Sequence, residues 1–327
     1  MGAAAVSAGG ELRRPGPVGG RPPAVASDRQ AERVVAVVGP TAAGKSALGV
    51  ALAHALGGEV VNADSMQLYR GMDIGTAKLT PAEREGVPHH ALDIWDVTEP
   101  ASVAAYQEVA RAAVDAVRAR GRVPILVGGS GLYVRAVLEE FEFPGTDAGL
   151  RAELEAALAA EGPAPLYERL RAADPAAAAK ILPTNGRRIV RALEVIALTG
   201  APFTAALPAA PKPYYDAVQI GVDRPDLATR VAERVDVMFA AGLVAETAAL
   251  AARGLREGRT ASRALGYQQV LAHLAGDLSL DEAREETVRA TRRFVRRQRT
   301  WFRRDTRIAW LDATRPDLAE AALAILG

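Results

Sequence analysis

Eight consecutive residues have the types and spacing of a phosphate cradle. Gly39-Pro40-Thr41-Ala42-Ala43-Gly44-Lys45-Ser46 follows the pattern G-x-x-x-x-G-K-[ST]. Glycines let backbone N–H groups converge on phosphate oxygens, and a helix beginning at that point adds partial positive charge. A lysine in this place neutralises terminal phosphate charge, and the Ser46 hydroxyl suits Mg²⁺. The plainer reading is a glycine turn that only caps a helix. The setting favours the cradle, because an unbroken Val/Ala run (34–38) precedes it and a helical pattern follows.

A carboxylate is expected beside this loop. The run Val60-Val61-Asn62-Ala63-Asp64 reads as a short strand followed by an acid, and ligands of open α/β sheets lie at the carboxyl ends of strands. Asp64 there can take a proton from an attacking nucleophile, an effect of about 10²–10⁴-fold, or can simply cap the next turn. Plain nucleotide hydrolysis requires in addition a Mg²⁺-holding Asp. Its natural place is the end of the strand at 123–127, where the chain reads Gly128-Gly129-Ser130-Gly131 instead. That disfavours hydrolysis.

These residues, with Asp64-Ser65-Met66-Gln67-Leu68-Tyr69-Arg70-Gly71-Met72-Asp73-Ile74-Gly75-Thr76-Ala77-Lys78, resemble the tRNA dimethylallyltransferase family. The resemblance continues through Pro88-His89-His90, Gly128-Gly129-Ser130-Gly131-Leu132-Tyr133, Arg188-Ile189-Val190-Arg191-Ala192-Leu193-Glu194 and Gly266-Tyr267. It ends in Arg297-Gln298-Arg299-Thr300-Trp301-Phe302, and so spans the chain from Val34 to about Leu311. It implies prenylation of an adenine beside the anticodon, with Gly39 to Ser46 holding the diphosphate of dimethylallyl diphosphate and Mg²⁺ near Ser46. It further implies that Asp64 takes the proton from the adenine N6, and that Arg234 assists Lys45 at the diphosphate. The tRNA contacts it implies are Asp64, Ser65, Met66, Gln67, Ser130, Arg151, Arg187, Arg188, Ile189, Val190 and Arg191. The chemistry is coherent, since an allylic diphosphate ionises readily once its leaving group is neutralised.

Charge patterning gives an RNA partner two candidate surfaces. Arg292, Arg296, Arg299 and Arg303 recur at helical spacing, with Val288, Val295 and Phe302 seven apart to anchor the other side. This is either a solvated face or a phosphate-contacting stripe. The second cluster, Arg187, Arg188 and Arg191, sits near the start of a helix, where positive charge opposes the macrodipole. Tyr69, Tyr133 and Tyr267 are candidates for base stacking or for ordinary packing. Adjacent His89 and His90 point to opposite faces of a strand, which argues against one shared metal ion.

The elements that must position these groups alternate. Strands are expected at 34–38, 59–62, 91–95, 123–127, 218–222 and 308–311, with helices at 46–56, 103–118 and 132–140 between them. That is an α/β fold with a doubly wound parallel sheet. Only helical patterns follow, at 150–160, 165–172, 175–182 and 187–198, and the proline-rich stretch 207–213 closes them. The expected division is a disordered tail (1–32), a core (33–143), an all-helical insertion domain contacting tRNA (144–214) and the rest of the core (215–327).

Composition narrows the function classes. The chain of 327 residues contains no cysteine, which excludes thiolate nucleophiles, disulfides and Cys-based metal sites. With 40 basic and 39 acidic residues the net charge is +1, so any basic surface is local. The lysines are Lys45, Lys78, Lys180 and Lys212, and every other basic side chain is arginine. No apolar run is long enough to span a bilayer, and a cytoplasmic monomer is expected. Three readings stand: a Mg²⁺-dependent prenyl transferase acting on tRNA, a small-molecule kinase holding ATP in the same loop, and an RNA-binding nucleotide switch.

Overall fold

In a computed structural model the described residues are 33–141, 143–203 and 212–327. The expected tail at 1–32 lies outside them, as does most of the proline-rich stretch 207–213. Strand β1 (Val34–Val38) is buried along its whole length, because it lies between two neighbours and is covered on both faces. Val35 and Val37 face one apolar cluster while Val34, Ala36 and Val38 face another, the period-two alternation of a strand. Its partners are β4 (Pro124–Gly128) and β5 (Ala217–Asp223), in register Val35 to Ile125 and Val35 to Val218. With β2 (Glu59–Asn62), β3 (His89–His90) and β6 (Ile308–Asp312) they form one parallel sheet in the order β3-β2-β4-β1-β5-β6. The chain leaves β1 toward β2 and leaves β4 toward β5, so the direction of winding reverses between β1 and β4. Open sheets of this kind bind ligands at that point.

Helix α1 (Lys45–Leu56) and α2 (Val103–Ala119) cover opposite faces of the sheet. After β4 comes α3 (Gly131–Leu138), which ends because Glu139 is extended and bridges to Pro213. The backbone there is paired twice, Glu140 N–H to the Lys212 carbonyl at 2.8 Å and Tyr214 N–H to that of Leu138 at 2.8 Å. Between these two strands of chain lie α4 (Ala148–Glu161), α5 (Pro163–Ala173), the single turn α6 (Pro175–Ala178) and α7 (Gly186–Thr199). They share their own apolar cluster, built on Leu154, Leu166, Leu170 and Ile189, separate from those on the sheet. Truncating one such fully buried leucine or isoleucine to alanine typically costs about 2–5 kcal/mol.

Three features differ from the sequence expectation. The strand expected at 91–95 is instead a turn, and only His89 and His90 pair with β2. Ala91 and Asp93 have φ of 55° and 54°, values no strand contains. Side chains from afar hold the turn, with Asn62 Nδ2 donating to the Ala91 carbonyl (3.0 Å) and Lys78 Nζ to Asp93 Oδ1 (2.6 Å). The expected helix at 175–182 is likewise one turn. Among the helices that the sequence expectation does not locate are α8 (Leu227–Ala240), α9 (Leu243–Ala251) and α10 (Tyr267–Ala275). With Tyr69 and Met72 the last two bury a third cluster, and the arginine-rich α11 (Leu280–Phe302) packs beside them before β6 and α12 (Leu318–Leu326).

Candidate active site

The loop from Gly39 to Gly44 joins β1 to α1 at the switch point. Only glycine fits at 39: its φ is 138°, and a Cβ would lie 2.2 Å from the Val222 carbonyl oxygen. Gly44, at φ 97°, is the N-cap of α1 and supplies no side-chain cap, and the first turn carries no acid. The helix N-terminus therefore keeps its partial charge and its N–H groups for an anion. Ala42 is held at φ 64°, a strained position for a non-glycine residue, tolerated here with its side chain buried.

A cleft of about 570 Å³ opens over this loop and is lined by Thr41, Lys45, Ser46, Asp64, Gln67 and Arg234 among others. The half-buried Lys45 donates from Nζ to the Pro40 carbonyl at 2.7 Å. Enclosure by protein lowers its ammonium pKa to about 8, partly offset by the charge of Asp64, and Arg234 lowers it further. The Arg234 guanidinium, from α8, is lowered in the same way by burial and by Arg230, and Asp64 again opposes the shift. Among the described residues neither cation has a carboxylate within ion-pair distance. Two enclosed cations facing one cleft are what a multiply charged anion requires.

Asp64 follows β2 and lines the same cleft. Its position is fixed by Asn62, whose Oδ1 accepts from Asp64 N–H (2.9 Å) and whose Nδ2 donates to the Asp64 carbonyl (3.0 Å). Asp64 Oδ1 accepts from Met66 N–H at 3.0 Å, so the carboxylate caps the next turn and faces the cleft at once. The two sequence readings of this residue are therefore compatible. Behind it, Tyr106 donates to the Asn62 carbonyl (2.8 Å), with Tyr133 packed on its ring at 4.7 Å; burial raises both phenols and keeps them protonated. The ends of β2 and β4 are stitched together, Ser65 N–H donating to Ser130 Oγ at 3.2 Å.

One residue of the loop's architecture had no role in the sequence reading. Gln298, buried on α11, accepts from Thr41 N–H through Oε1 (2.9 Å) and donates through Nε2 to the Gly129 carbonyl (2.9 Å). It ties the loops after β1 and β4 into one rim. The signal was available, because Gln298 falls on the same helical stripe as Val295 and Phe302, where a buried amide must find partners.

The arginine clusters are arranged differently from expectation. Arg299 grips Asp223 with Nε and Nη2 (3.0 and 2.8 Å), Arg303 joins it at 3.2 Å, and Arg292 donates to the Ala228 carbonyl at 2.9 Å. The stripe 292-296-299-303 is therefore largely committed inside the protein. Arg296, Arg297 and Arg304 instead line a shallow exposed cavity with Thr300 and Trp301. On α7, Arg187 and Arg188 are exposed in the first turn, while Ile189 and Val190 are buried in the helical cluster. Arg191 and Arg151 converge on the buried Glu194, Arg191 at 2.8 Å, and Arg191 also donates to the Pro144 carbonyl (2.6 Å). Burial pushes the Glu194 carboxyl up, but the bonds from the two arginines hold it below the ordinary carboxylate range. Gln67 lines the cleft, Ser65 and Ser130 are bonded to each other next to Asp64, and Met66 packs against the third apolar cluster, whereas the α7 group belongs to the separate bundle.

The tyrosines and histidines resolve plainly. Tyr69 and Tyr267 are fully buried, so neither ring is open to a stacking base. His89 faces the cleft with Nδ1 bonded to the Val87 carbonyl (2.8 Å), and burial keeps its imidazole neutral. His90 points away to Glu59 (2.6 Å), so the pair shares no ion. Among the described residues no group of three or more His, Asp or Glu could hold a metal. The Ser46 hydroxyl beside a phosphate-binding loop does fit Mg²⁺, which takes most of its ligands from phosphate and water.

Comparison with known proteins bears on most of the chain. Residues 67–305 match the family model described as IPP transferase. A tRNA dimethylallyltransferase of Salinispora arenicola is 76% identical over 89% of this chain and 85% of its own. Two solved structures share the fold. A tRNA isopentenylpyrophosphate transferase of Bacillus halodurans has a TM-score of 0.66 at 43% identity, covering 90% of this chain and 94% of that one. A eukaryotic dimethylallyltransferase acting on tRNA has a TM-score of 0.74 at 27% identity, covering 90% and 78%. These matches do not favour the kinase reading.

Proposed function

This chain belongs to the IPP transferase family, and from that premise we propose that it transfers a dimethylallyl group from dimethylallyl diphosphate to N6 of an adenine next to the anticodon of tRNA. The enzyme is a tRNA-modifying transferase. In the step, a bond forms between N6 and C1 of the allyl group while the C1–oxygen bond breaks and diphosphate leaves. The glycine loop, Lys45 and Arg234 bind that leaving group and neutralise the charge it gains, which is where catalysis acts most strongly. Asp64 takes the N6 proton, relieving the poor nucleophilicity of an amine delocalised into its ring. Mg²⁺, held by Ser46 and phosphate oxygens, supplies further charge neutralisation when bound.

We assign 144–214 as an inserted domain that contacts tRNA through the exposed Arg187 and Arg188. Ser65, Met66, Gln67 and Ser130 form the acceptor side of the cleft, and the arc of Arg296, Arg297 and Arg304 follows the phosphate backbone. Such contacts weaken with salt. The target base must leave its stack to reach Asp64, at a cost of a few kcal/mol. We propose further that it works as a monomer in the cytoplasm. No helix among the described residues is long and apolar enough to cross a membrane.

The observation that carries this reading is the pairing, across one cleft, of one carboxylate at a strand end with two enclosed cations that have no carboxylate at ion-pair distance among the described residues. Incubation with labelled dimethylallyl diphosphate and unmodified tRNA tests it, with labelled ATP as the control. Label appearing in tRNA from the allyl donor is expected. Label transferred only from ATP would overturn it.

A further inference from the structure

Glu246 lies outside the cleft, in the first turn of α9, yet three successive backbone N–H groups of a distant loop converge on its carboxylate. Asp73 and Ile74 donate to Oε2 (3.2 and 2.9 Å) and Gly75 donates to Oε1 (3.3 Å). The Tyr267 hydroxyl donates to Oε1 at 2.5 Å and accepts from Gly75 N–H at 3.2 Å. Burial keeps that phenol protonated, hence a donor. A Cβ at Gly75 would lie 2.4 Å from the Tyr267 ring, so loop and helices touch without space between them.

The loop held in this way continues directly into the cleft wall. Thr76, Ala77 and Lys78 line the cleft, and the Thr76 carbonyl accepts from Gln67 Nε2 at 3.1 Å. Gln67 lies three residues beyond Asp64. From the other side Lys78 Nζ anchors the loop to the Tyr69 carbonyl (3.1 Å) and to Asp73 (2.6 Å). A single carboxylate on α9 thereby sets where that wall stands relative to the glycine loop, from outside the cleft lining. No neutral isostere can replace it, since a carboxamide would turn its NH₂ toward N–H donors.

We propose that Glu246, supported by Tyr267, is a positioning residue for the transfer reaction, fixing the wall that carries Gln67 and Thr76 and acting on the tRNA acceptor but not on the diphosphate donor. This rests on the tRNA prenyl-transfer reading above. The test compares wild type, Glu246→Gln, Glu246→Asp and Tyr267→Phe for kcat/KM toward tRNA and for affinity toward an unreactive S-linked analogue of dimethylallyl diphosphate.

The expectation is a loss of about 10–100-fold in kcat/KM for tRNA in Glu246→Gln, from the unmade bonds of part-buried donors and the loosened loop they hold. Analogue affinity should stay within about twofold, because the diphosphate loop is untouched, and Glu246→Asp should recover part of the loss. Unchanged kcat/KM, or an equal fall in analogue binding, overturns the proposal. Should Glu246→Gln fail to fold, Tyr267→Phe decides: a loss of about 3–10-fold confined to tRNA supports the proposal, and wild-type behaviour overturns it. Absence of transfer in the wild type would instead contradict the underlying reading.

Discussion

Along the cleft, Lys45 and Arg234 stand enclosed with no carboxylate at ion-pair distance among the described residues, whereas in the helical bundle Arg151 and Arg191 close upon Glu194. Both regions concentrate positive charge in partly buried surroundings, and they do so for opposite ends. In the bundle the charge is answered within the chain, so it stabilises the packing of α4 against α7. In the cleft it is answered only in part, by Asp64, which leaves a field to be completed by an anion. On α11 both conditions occur on one helix, where Asp223 takes Arg299 and Arg303 while Arg296 and Arg304 face the open cavity. An arginine count therefore says little about binding until the carboxylates are located.

The largest effect that can break this contrast is at Asp64. Asp64→Asn keeps the side-chain oxygen that caps Met66 but removes the proton acceptor, so single-turnover transfer should fall about 10²–10⁴-fold while tRNA affinity holds. Unaltered single-turnover rates would make Asp64 a turn cap and nothing more. A smaller effect sharpens the other half of the comparison. Glu194→Ala should destabilise by about 2–3 kcal/mol, the usual cost of breaking a buried pair reduced because Arg151 and Arg191 reach solvent. Denaturant titration measures it. Stability equal to wild type would mean that these arginines are as available to RNA as those on α11.

The glycine loop was legible in the sequence because its backbone conformations demand particular residues: Gly39 and Gly44 adopt positive φ that other side chains resist. The place of Asp64 was legible too, since a strand end in a parallel sheet is a local signal with a known address. Arg234 came only from the family resemblance, because α8 shows no pattern that aims one arginine at a loop nearly two hundred residues earlier. Glu246 carried no signal at all. An acid in the first turn of a helix ordinarily complements the macrodipole, and only the fold brings the 73–75 loop to it. The strand expected at 91–95 failed for the same reason, as side chains of Asn62 and Lys78 bend that segment from outside it. What is local in cause could be read; what depends on a partner far along the chain could not.

The central claim is that the cleft's cations are completed by a diphosphate, and Lys45 offers its most direct test. Its lowered pKa of about 8 means that the free enzyme loses this proton as pH rises through that value. A bound diphosphate favours the ammonium and raises the pKa, so binding takes up a proton near and above pH 8, and affinity falls as pH rises further. Calorimetry with the S-linked analogue at pH 7 and pH 9 should show that fall with proton uptake in the wild type. Lys45→Met should bind at least about tenfold more weakly at pH 7, without that uptake. Equal affinity in the two proteins at both pH values would contradict the account.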